Sequence, residues 1–270
     1  MYFLFLIFIF AIGYSALFYF FVDLSKYFMF LWVPVSLVLG VITLALYLFC
    51  YMLIASHTKP NKRHKHFLLR NMTFCSIMLF HIKLHVVGLE NVPNETFVVY
   101  SNHKSNMDPI FIYHALKINS ITAIGKDTLF KNFIMRLIFK TFGALPINRD
   151  NDREAAKTII KAISMIKNGI SMIIFPEGGI KTRDVEEMVN LRAGAYKLAT
   201  KSGAKILPVA IVGSSQIKSK RRIQRKDVTV VFFKPISKEE YQNMNTTEIG
   251  LKVEEIINNG IKEYGQAEKE

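Results

Sequence analysis

The chain is poor in the residues that cross-link or metallate a fold. It has two cysteines in 270 residues, Cys50 in an apolar stretch and Cys75 in an amphipathic one, with no paired spacing. That count excludes a disulfide framework and a zinc site of Cys/His spacing, and it suits a reducing compartment. No Gly-x-Ser-x-Gly elbow occurs, because Ser214 and Ser215 follow Gly213 without a glycine to close the turn. A serine lipase or thioesterase would therefore lack its nucleophile. Internal repeats and low-complexity linkers are absent too. Acid is scarce, with 21 Asp plus Glu against 35 Lys plus Arg, and the formal charge of +14 favours an anionic surface or ligand. No nucleic-acid-binding motif accompanies that charge, so nucleic acid is not an expected partner.

Charge is nearly missing from the first 55 residues. Two apolar runs, 1–22 and 27–55, are separated only by Asp23-Leu24-Ser25-Lys26. Each is long enough to cross a bilayer, which takes about 20 residues. The first run has no basic flank and a second follows at once, which argues against a cleaved signal peptide. Behind them Lys59-Pro-Asn-Lys-Arg-His-Lys65 marks a cytoplasmic flank under the positive-inside rule. Pro34 and Gly40 would permit a bend, so full spans and a re-entrant hairpin both stay open. The organisation expected is an anchor of two apolar segments over 1–58, a basic and amphipathic membrane-proximal segment over 59–80, and a catalytic domain over 81–270 facing the cytoplasm at the cell membrane. Within the middle segment, 67–80 reads as an amphipathic helix that could meet lipid or the domain.

Beyond residue 80 the apolar pattern alternates between periods. Runs rich in Val, Ile and Phe at 82–87, 96–100, 120–124, 171–175, 205–212 and 228–233 read as strands. Residues 109–116, 132–142 and 152–168 carry helical spacing, the last closed by Gly169, and a final helix is expected from 242. The fold class this predicts is α/β, a single catalytic domain with a largely parallel central sheet flanked by helices, plus the N-terminal helical anchor.

The stretch with most chemistry is Ser101-Asn-His-Lys-Ser-Asn-Met-Asp-Pro109, between a strand and a helix. A carboxylate five residues after an imidazole can orient it across one tight turn and leave its other nitrogen free to take a proton from an alcohol. Asp108-Pro109 also reads as a helix N-cap followed by Pro at the first helical position, and both readings can hold together. In chain order there follow Gly143-Ala-Leu-Pro-Ile-Asn-Arg149, Phe175-Pro-Glu-Gly178 and Ile206-Leu-Pro-Val-Ala-Ile211.

These blocks resemble the four motifs of the glycerolipid acyltransferases, the 1-acylglycerol-3-phosphate acyltransferases: Asn-His-x4-Asp, Gly-x-x-Phe-Ile-x-Arg, Phe-Pro-Glu-Gly and a Val-Pro-Val-like strand. The similarity runs over roughly residues 80 to 235, and the segments 124–131 and 192–199 also look like the family's. Two departures stand out. Pro146 occupies the family's Phe position, and Gly179-Ile180 replaces the Thr-Arg that often follows the third motif, leaving Lys181 or Arg183 to supply its cation.

The resemblance implies that the hydroxyl of a lysophospholipid attacks an acyl thioester, of coenzyme A or of acyl carrier protein, with no metal and no bound cofactor. His103 would be the general base and Asp108 its orienting partner. A substrate-binding set would surround them: Asn102, Ser105, Lys126, Gly143, Arg149, Glu177, Gly178, Lys181, Arg183 and Pro208. Arg149 would take the acceptor's phosphate, since a guanidinium can engage two of its oxygens at once, although by charge pattern alone it reads as a surface residue. Glu177 would contact a glycerol hydroxyl or serve only as a turn residue. Pro208 would end or bulge a strand beside the acyl site. The basic stretch 218–226 is a solvated loop, a contact for anionic headgroups, or a receiver of carrier protein or coenzyme A phosphates. A relative acting on another acceptor such as a lyso-ornithine lipid, and a non-catalytic lipid-binding membrane protein, are the competing readings.

Overall fold

The computed structural model describes residues 2–21, 29–59, 62–118, 120–180, 182–189, 191–218 and 224–267. It has two compact units, Met1–Thr58 and Lys59–Glu270. The first holds two helices, α1 (Tyr2–Phe21) and α2 (Met29–Ala55). By length and composition, Tyr2–Phe20 and Leu31–Ala55 could each cross a membrane. Pro34 lies in the second turn of α2, where little helix precedes it for the ring to displace. Gly40 lies inside α2. A Cβ there would come within 2.9 Å of the Ile7 carbonyl, so glycine lets the α1 backbone approach closely. The Tyr14 and Thr43 hydroxyls join the two helices at 2.7 Å. The linker Asp23–Lys26 lies outside the described residues.

The second unit is built on a seven-stranded sheet: β1 (Ile82–Val87), β2 (Phe97–Ser101), β3 (Ile121–Lys126), β4 (Leu145–Ile147), β5 (Ser171–Ile174), β6 (Lys205–Val212) and β7 (Lys226–Phe232). Their order across the sheet is β1-β7-β6-β2-β5-β3-β4, parallel at every pairing except β6 with β7. β2, β5 and β6 are buried along almost their whole length, which is why they read as continuous apolar runs.

Helices cover both faces. One core joins Val98, Tyr100, Met172 and Ile206 to Ala162 and Ile166 of α6 (Asp152–Lys167), Leu198 of α7 (Lys197–Ser202), and Val253 and Ile257 of α9 (Thr246–Ala267). The other joins Phe97, Val99, Ile173 and Val209 to Phe111 and Ile112 of α4 (Asp108–Leu116) and Ile77 of α3 (Arg63–Leu79). A short α8 (Lys238–Tyr241) precedes α9. The last helix starts at 246 rather than 242 because the Asn245 side chain accepts from Thr247 and Glu248 N–H and caps it.

Three expectations change here. β4 was not expected; it is three residues long with Pro146 at its centre, tolerable because β4 is an edge strand. Pro208 does not end its strand. It lies inside β6 opposite Tyr100, and the pairing with the neighbouring chain slips by one residue between Val209↔Phe232 and Ile206↔Ile236. The Pro208 carbonyl accepts from Phe233 N at 3.1 Å, so its missing N–H faces this bulge, where no regular ladder bond is lost. Finally, α3 begins at Arg63, and its Lys65 is no surface cation: it is fully buried with Nζ donating to the Thr141 carbonyl at 2.9 Å.

α3 packs on α4 through polar contacts. His66 Nδ1 meets the Tyr113 hydroxyl at 2.6 Å, and Thr73 Oγ1 meets His114 Nδ1 at 3.1 Å. Burial, with Lys117 and Arg70 nearby, pushes the His114 pKa down. A depressed imidazole favours the folded state above its ordinary pKa of about 6.5 and withdraws that stability as pH falls below it. Replacing His114 with Gln is expected to shrink the drop in melting temperature between pH 7 and pH 5, followed by circular dichroism; an unchanged drop would place the acid sensitivity elsewhere.

Candidate active site

The carboxyl-terminal ends of β2, β5, β3 and β4 lie side by side, and the loops leaving them carry the motif residues. At the end of β2, Asn102 carries on the ladder with its side chain. Its Oδ1 accepts from Ile211 N and its Nδ2 donates to Ile211 O, both at 2.8 Å, with a further donation to the Glu186 carbonyl at 3.0 Å. It is completely buried with its amide in use, so it positions the loop rather than touching a ligand.

The chain then turns tightly from His103 to Asp108. Asp108 is the first residue of α4 rather than its N-cap, and its carboxylate reaches back into the turn. Oδ2 accepts from Lys104 N at 2.7 Å and Ser105 N at 2.8 Å, and lies 3.0 Å from His103 Nδ1. Its position at a helix N-terminus favours the anion as well. With Asp108 ionised, Nδ1 carries the proton and Nε2 presents a lone pair. The His103 ring stacks on Phe175 with centroids 4.2 Å apart and retains 14% side-chain exposure, against 0% for Asp108. Ser105 Oγ accepts from Met107 N, which makes it a turn-forming residue.

Glu177, after β5, holds the turn from its other side. Oε1 accepts from His103 N at 2.9 Å and Oε2 pairs with Lys104 Nζ at 3.0 Å, both side chains being fully buried. Burial outweighs these partners and pushes the Glu177 carboxyl above its ordinary pKa. Since both oxygens are engaged inside the protein, the expected glycerol contact gives way to a structural one.

Two guanidinium groups sit at the turn that follows. Arg149 Nη1 donates to the Gly178 carbonyl. A Cβ at Gly179 would approach that Nη1 to 2.7 Å, and one at Gly178 would approach Arg192 Cδ to 2.9 Å. Both glycines also have positive φ, 72° and 139°, so any side chain here would be strained as well as crowded. Burial first, then the charge of Arg192, lowers the Arg149 pKa; Asp127 and Asp150 oppose this. Arg183 is half-buried with Nε donating to the Lys104 carbonyl at 3.0 Å, while Lys181 lies outside the described residues, as do 219–223 of the basic stretch. Lys126 is exposed at the end of β3. Gly143 is not at this edge: Leu145 pairs with Ile124, which puts Gly143 at the start of the sheet, where its positive φ of 75° turns the chain into β4.

Two residues at the site had no sequence signal of their own. Arg192 was visible only within a family-like segment. Glu186 lies in the irregular loop after Phe175, its Oε1 accepting from Ser215 N at 3.2 Å and Ser215 Oγ at 2.5 Å. Burial and the nearby Asp108 charge raise its pKa. Glu186 Oε2 and Asp108 Oδ1 are buried with no hydrogen-bond partner among the described residues. No group of three or more His, Cys, Asp or Glu among the described residues could hold a metal ion.

Comparison with known proteins finds acyltransferases. The acyltransferase family model matches residues 83–212. The probable 1-acyl-sn-glycerol-3-phosphate acyltransferase of Mycoplasma pneumoniae is 29% identical over 199 residues, 68% of this chain and 73% of that protein. The chloroplastic 1-acyl-sn-glycerol-3-phosphate acyltransferase LPAT1 of Arabidopsis thaliana is 30% identical over 182 residues, 65% of this chain and about half, 49%, of that protein. Among solved structures, the 1-acyl-sn-glycerophosphate acyltransferase PlsC of Thermotoga maritima shares the fold, with a TM-score of 0.65 at 22% identity over 81% of this chain and 89% of that one. The chain is thus similar in sequence to acyltransferases over residues 83–212 and shares the fold of a glycerolipid acyltransferase.

Removing one partner of the buried Lys104–Glu177 pair strands a charge, and Glu177→Gln is expected to cost about 3–5 kcal/mol of unfolding free energy. Urea denaturation checks this, and a loss under 1 kcal/mol would mean the pair is relaxed or hydrated in solution.

Proposed function

We propose that the chain moves an acyl group from a thioester, of coenzyme A or acyl carrier protein, to the free hydroxyl of 1-acylglycerol-3-phosphate, giving phosphatidic acid. The observation that carries the reading is the His103 Nδ1–Asp108 Oδ2 contact of 3.0 Å in a partly open loop at the carboxyl edge of the sheet. His103 Nε2 takes the proton of the acceptor hydroxyl as its oxygen attacks the thioester carbonyl. The tetrahedral intermediate collapses, the C–S bond breaks, and the imidazolium returns the proton to the departing sulfur. Asp108 stabilises the imidazolium and holds its tautomer, while Asn102, Ser105 and Glu177 keep the turn in place.

Arg149, joined by Arg192 and Arg183, supplies the positive charge for the acceptor phosphate. This concentration of guanidinium groups is what favours a phosphorylated acceptor over a lyso-ornithine lipid. The two apolar helices anchor the enzyme to the cell membrane, with the basic segment after Ala55 on the cytoplasmic side.

The test is acyl transfer by the detergent-solubilised protein from labelled acyl-coenzyme A and acyl carrier protein onto lysophosphatidic acid, with a lyso-ornithine lipid alongside. His103→Ala is expected to lose about 10²- to 10⁴-fold in kcat. Arg149→Lys is expected to raise KM for lysophosphatidic acid about tenfold while leaving KM for the donor unchanged, since about 1.4 kcal/mol of forked phosphate contact is lost. Acylation of the lyso-ornithine lipid alone would overturn the acceptor, and full activity in His103→Ala would overturn the mechanism.

A further inference from the structure

Arg183 and Glu186 hold both neighbours of His103 in place. Arg183 Nε donates to the Lys104 carbonyl at 3.0 Å, and the Glu186 carbonyl accepts from Asn102 Nδ2 at 3.0 Å. Asn102 and Lys104 are completely buried, whereas His103 between them keeps some side-chain exposure. A shift of residues 183–186 would therefore pass to the backbone on either side of the imidazole.

No helix or strand fixes that segment, since 182–189 has no regular structure. Its side chains sort by direction instead. Asp184 and Val185 are exposed, while Met188 is buried in the core and its N–H donates to Asn258 Oδ1 of α9 at 2.8 Å. Glu186 turns inward as well, and its Oε1 accepts from both Ser215 N at 3.2 Å and Ser215 Oγ at 2.5 Å. Ser215 lies in a 3-10 turn (Ser214–Lys218) that follows the carboxyl end of β6, the strand beside β2. The Glu186 side chain thus joins the loop after β5 to the chain after β6. Asn102 lies between the two and bonds to each, through the Glu186 carbonyl and both backbone groups of Ile211.

A glutamate that only capped the 3-10 turn would meet Ser215 N and end there. Glu186 also holds Asn102 through its own backbone. Its carboxyl faces the site too: burial raises its pKa most, Ser215 opposes this, and the charges of Asp108 and Lys104 reach it as well.

We propose that Glu186 is a positioning residue for the reaction: by gripping Ser215 it fixes residues 183–186 against Asn102 and Lys104, and so fixes the His103 imidazole between them. This rests on the acyltransferase reading above and adds to it a residue that acts through His103.

The detergent-solubilised full chain tests this in two ways, by rate and by the state of the imidazole. Glu186→Ala is expected to lower kcat about 10- to 100-fold and to change KM for lysophosphatidic acid and for the acyl donor less than about twofold, because a displaced base costs rate rather than binding. Glu186→Gln keeps an oxygen for the Ser215 donors and is expected to recover most of the loss. Ser215→Ala keeps the Ser215 N–H and is expected to lose about threefold, and the double variant no more than Glu186→Ala alone, as coupled residues do. The second readout is the His103 ring nitrogen signal, assigned by His103→Gln. One tautomer is expected in wild type and Glu186→Gln, and a mixture in Glu186→Ala.

An unchanged kcat and ring signal in Glu186→Ala, even with a lowered melting temperature, would reduce Glu186 to a cap and overturn the proposal. A loss in Glu186→Gln as large as in Glu186→Ala would overturn it in favour of a charge effect, and additive losses in the double variant would contradict the grip on Ser215. Should Glu186→Ala fail to fold, Ser215→Ala and Glu186→Gln carry the same two readouts. Should wild type acylate no acceptor, the acyltransferase reading would fail while the ring signal still decided the positioning role.

Discussion

One carboxylate organises the turn from His103 to Asp108. Asp108 Oδ2 gathers two backbone N–H groups and the His103 imidazole within 3.0 Å. Those two amides fix the path of the chain between strand and helix, so the same atom that folds the turn also sets the tautomer of the histidine. Glu177 mirrors it across the turn, taking the His103 N–H on one oxygen and the Lys104 ammonium on the other. The imidazole is held through its ring nitrogen, its own backbone and its stack on Phe175, which leaves Nε2 as the group able to act on a ligand. Such preorganisation is what a base needs if its contribution is to come without rearrangement during the reaction.

Charge is distributed around this turn by the fold rather than by the sequence order. Arg149 arrives from the end of an edge strand, Arg183 from the loop after Phe175, and Arg192 from the end of that loop. Two glycines make room for two of them. Burial first, and then the charge of Arg192, lower the Arg149 pKa, and an anion between the two guanidinium groups would offset both. Against that cationic side stand three buried or half-buried carboxylates, Asp108, Glu177 and Glu186, in which burial lifts the pKa of Glu177 and Glu186.

What could be read from the sequence was what depends on local pattern. β1 and β6 fell where runs of Val, Ile and Leu predict them, and α4 and α6 match within a residue or two, because burial on both faces of a strand or one face of a helix imprints directly on residue order. β4 was invisible because three residues with a central proline carry no period, and its identity as a strand comes only from pairing with β3. The His-x4-Asp pairing was legible because its two members are joined by one turn. The roles of Asn102, Gly143 and Glu177 were not, because Asn102 and Glu177 depend on partners 109 and 74 positions away and Gly143 on which edge of the sheet its turn occupies. Glu186 and Arg192 had still less to show, since an irregular loop carries them to the site.

The central claim is that Asp108 holds His103 with its proton on Nδ1 and Nε2 bare. Nitrogen NMR of the protein labelled at histidine, assigned by a His103→Gln variant, measures this tautomer directly near neutral pH. The account predicts an Nδ1–H imidazole in the wild-type protein and loss of that preference in Asp108→Asn. An Nε2–H tautomer in the wild type would contradict it, since the nitrogen left to face the acceptor could then no longer take a proton.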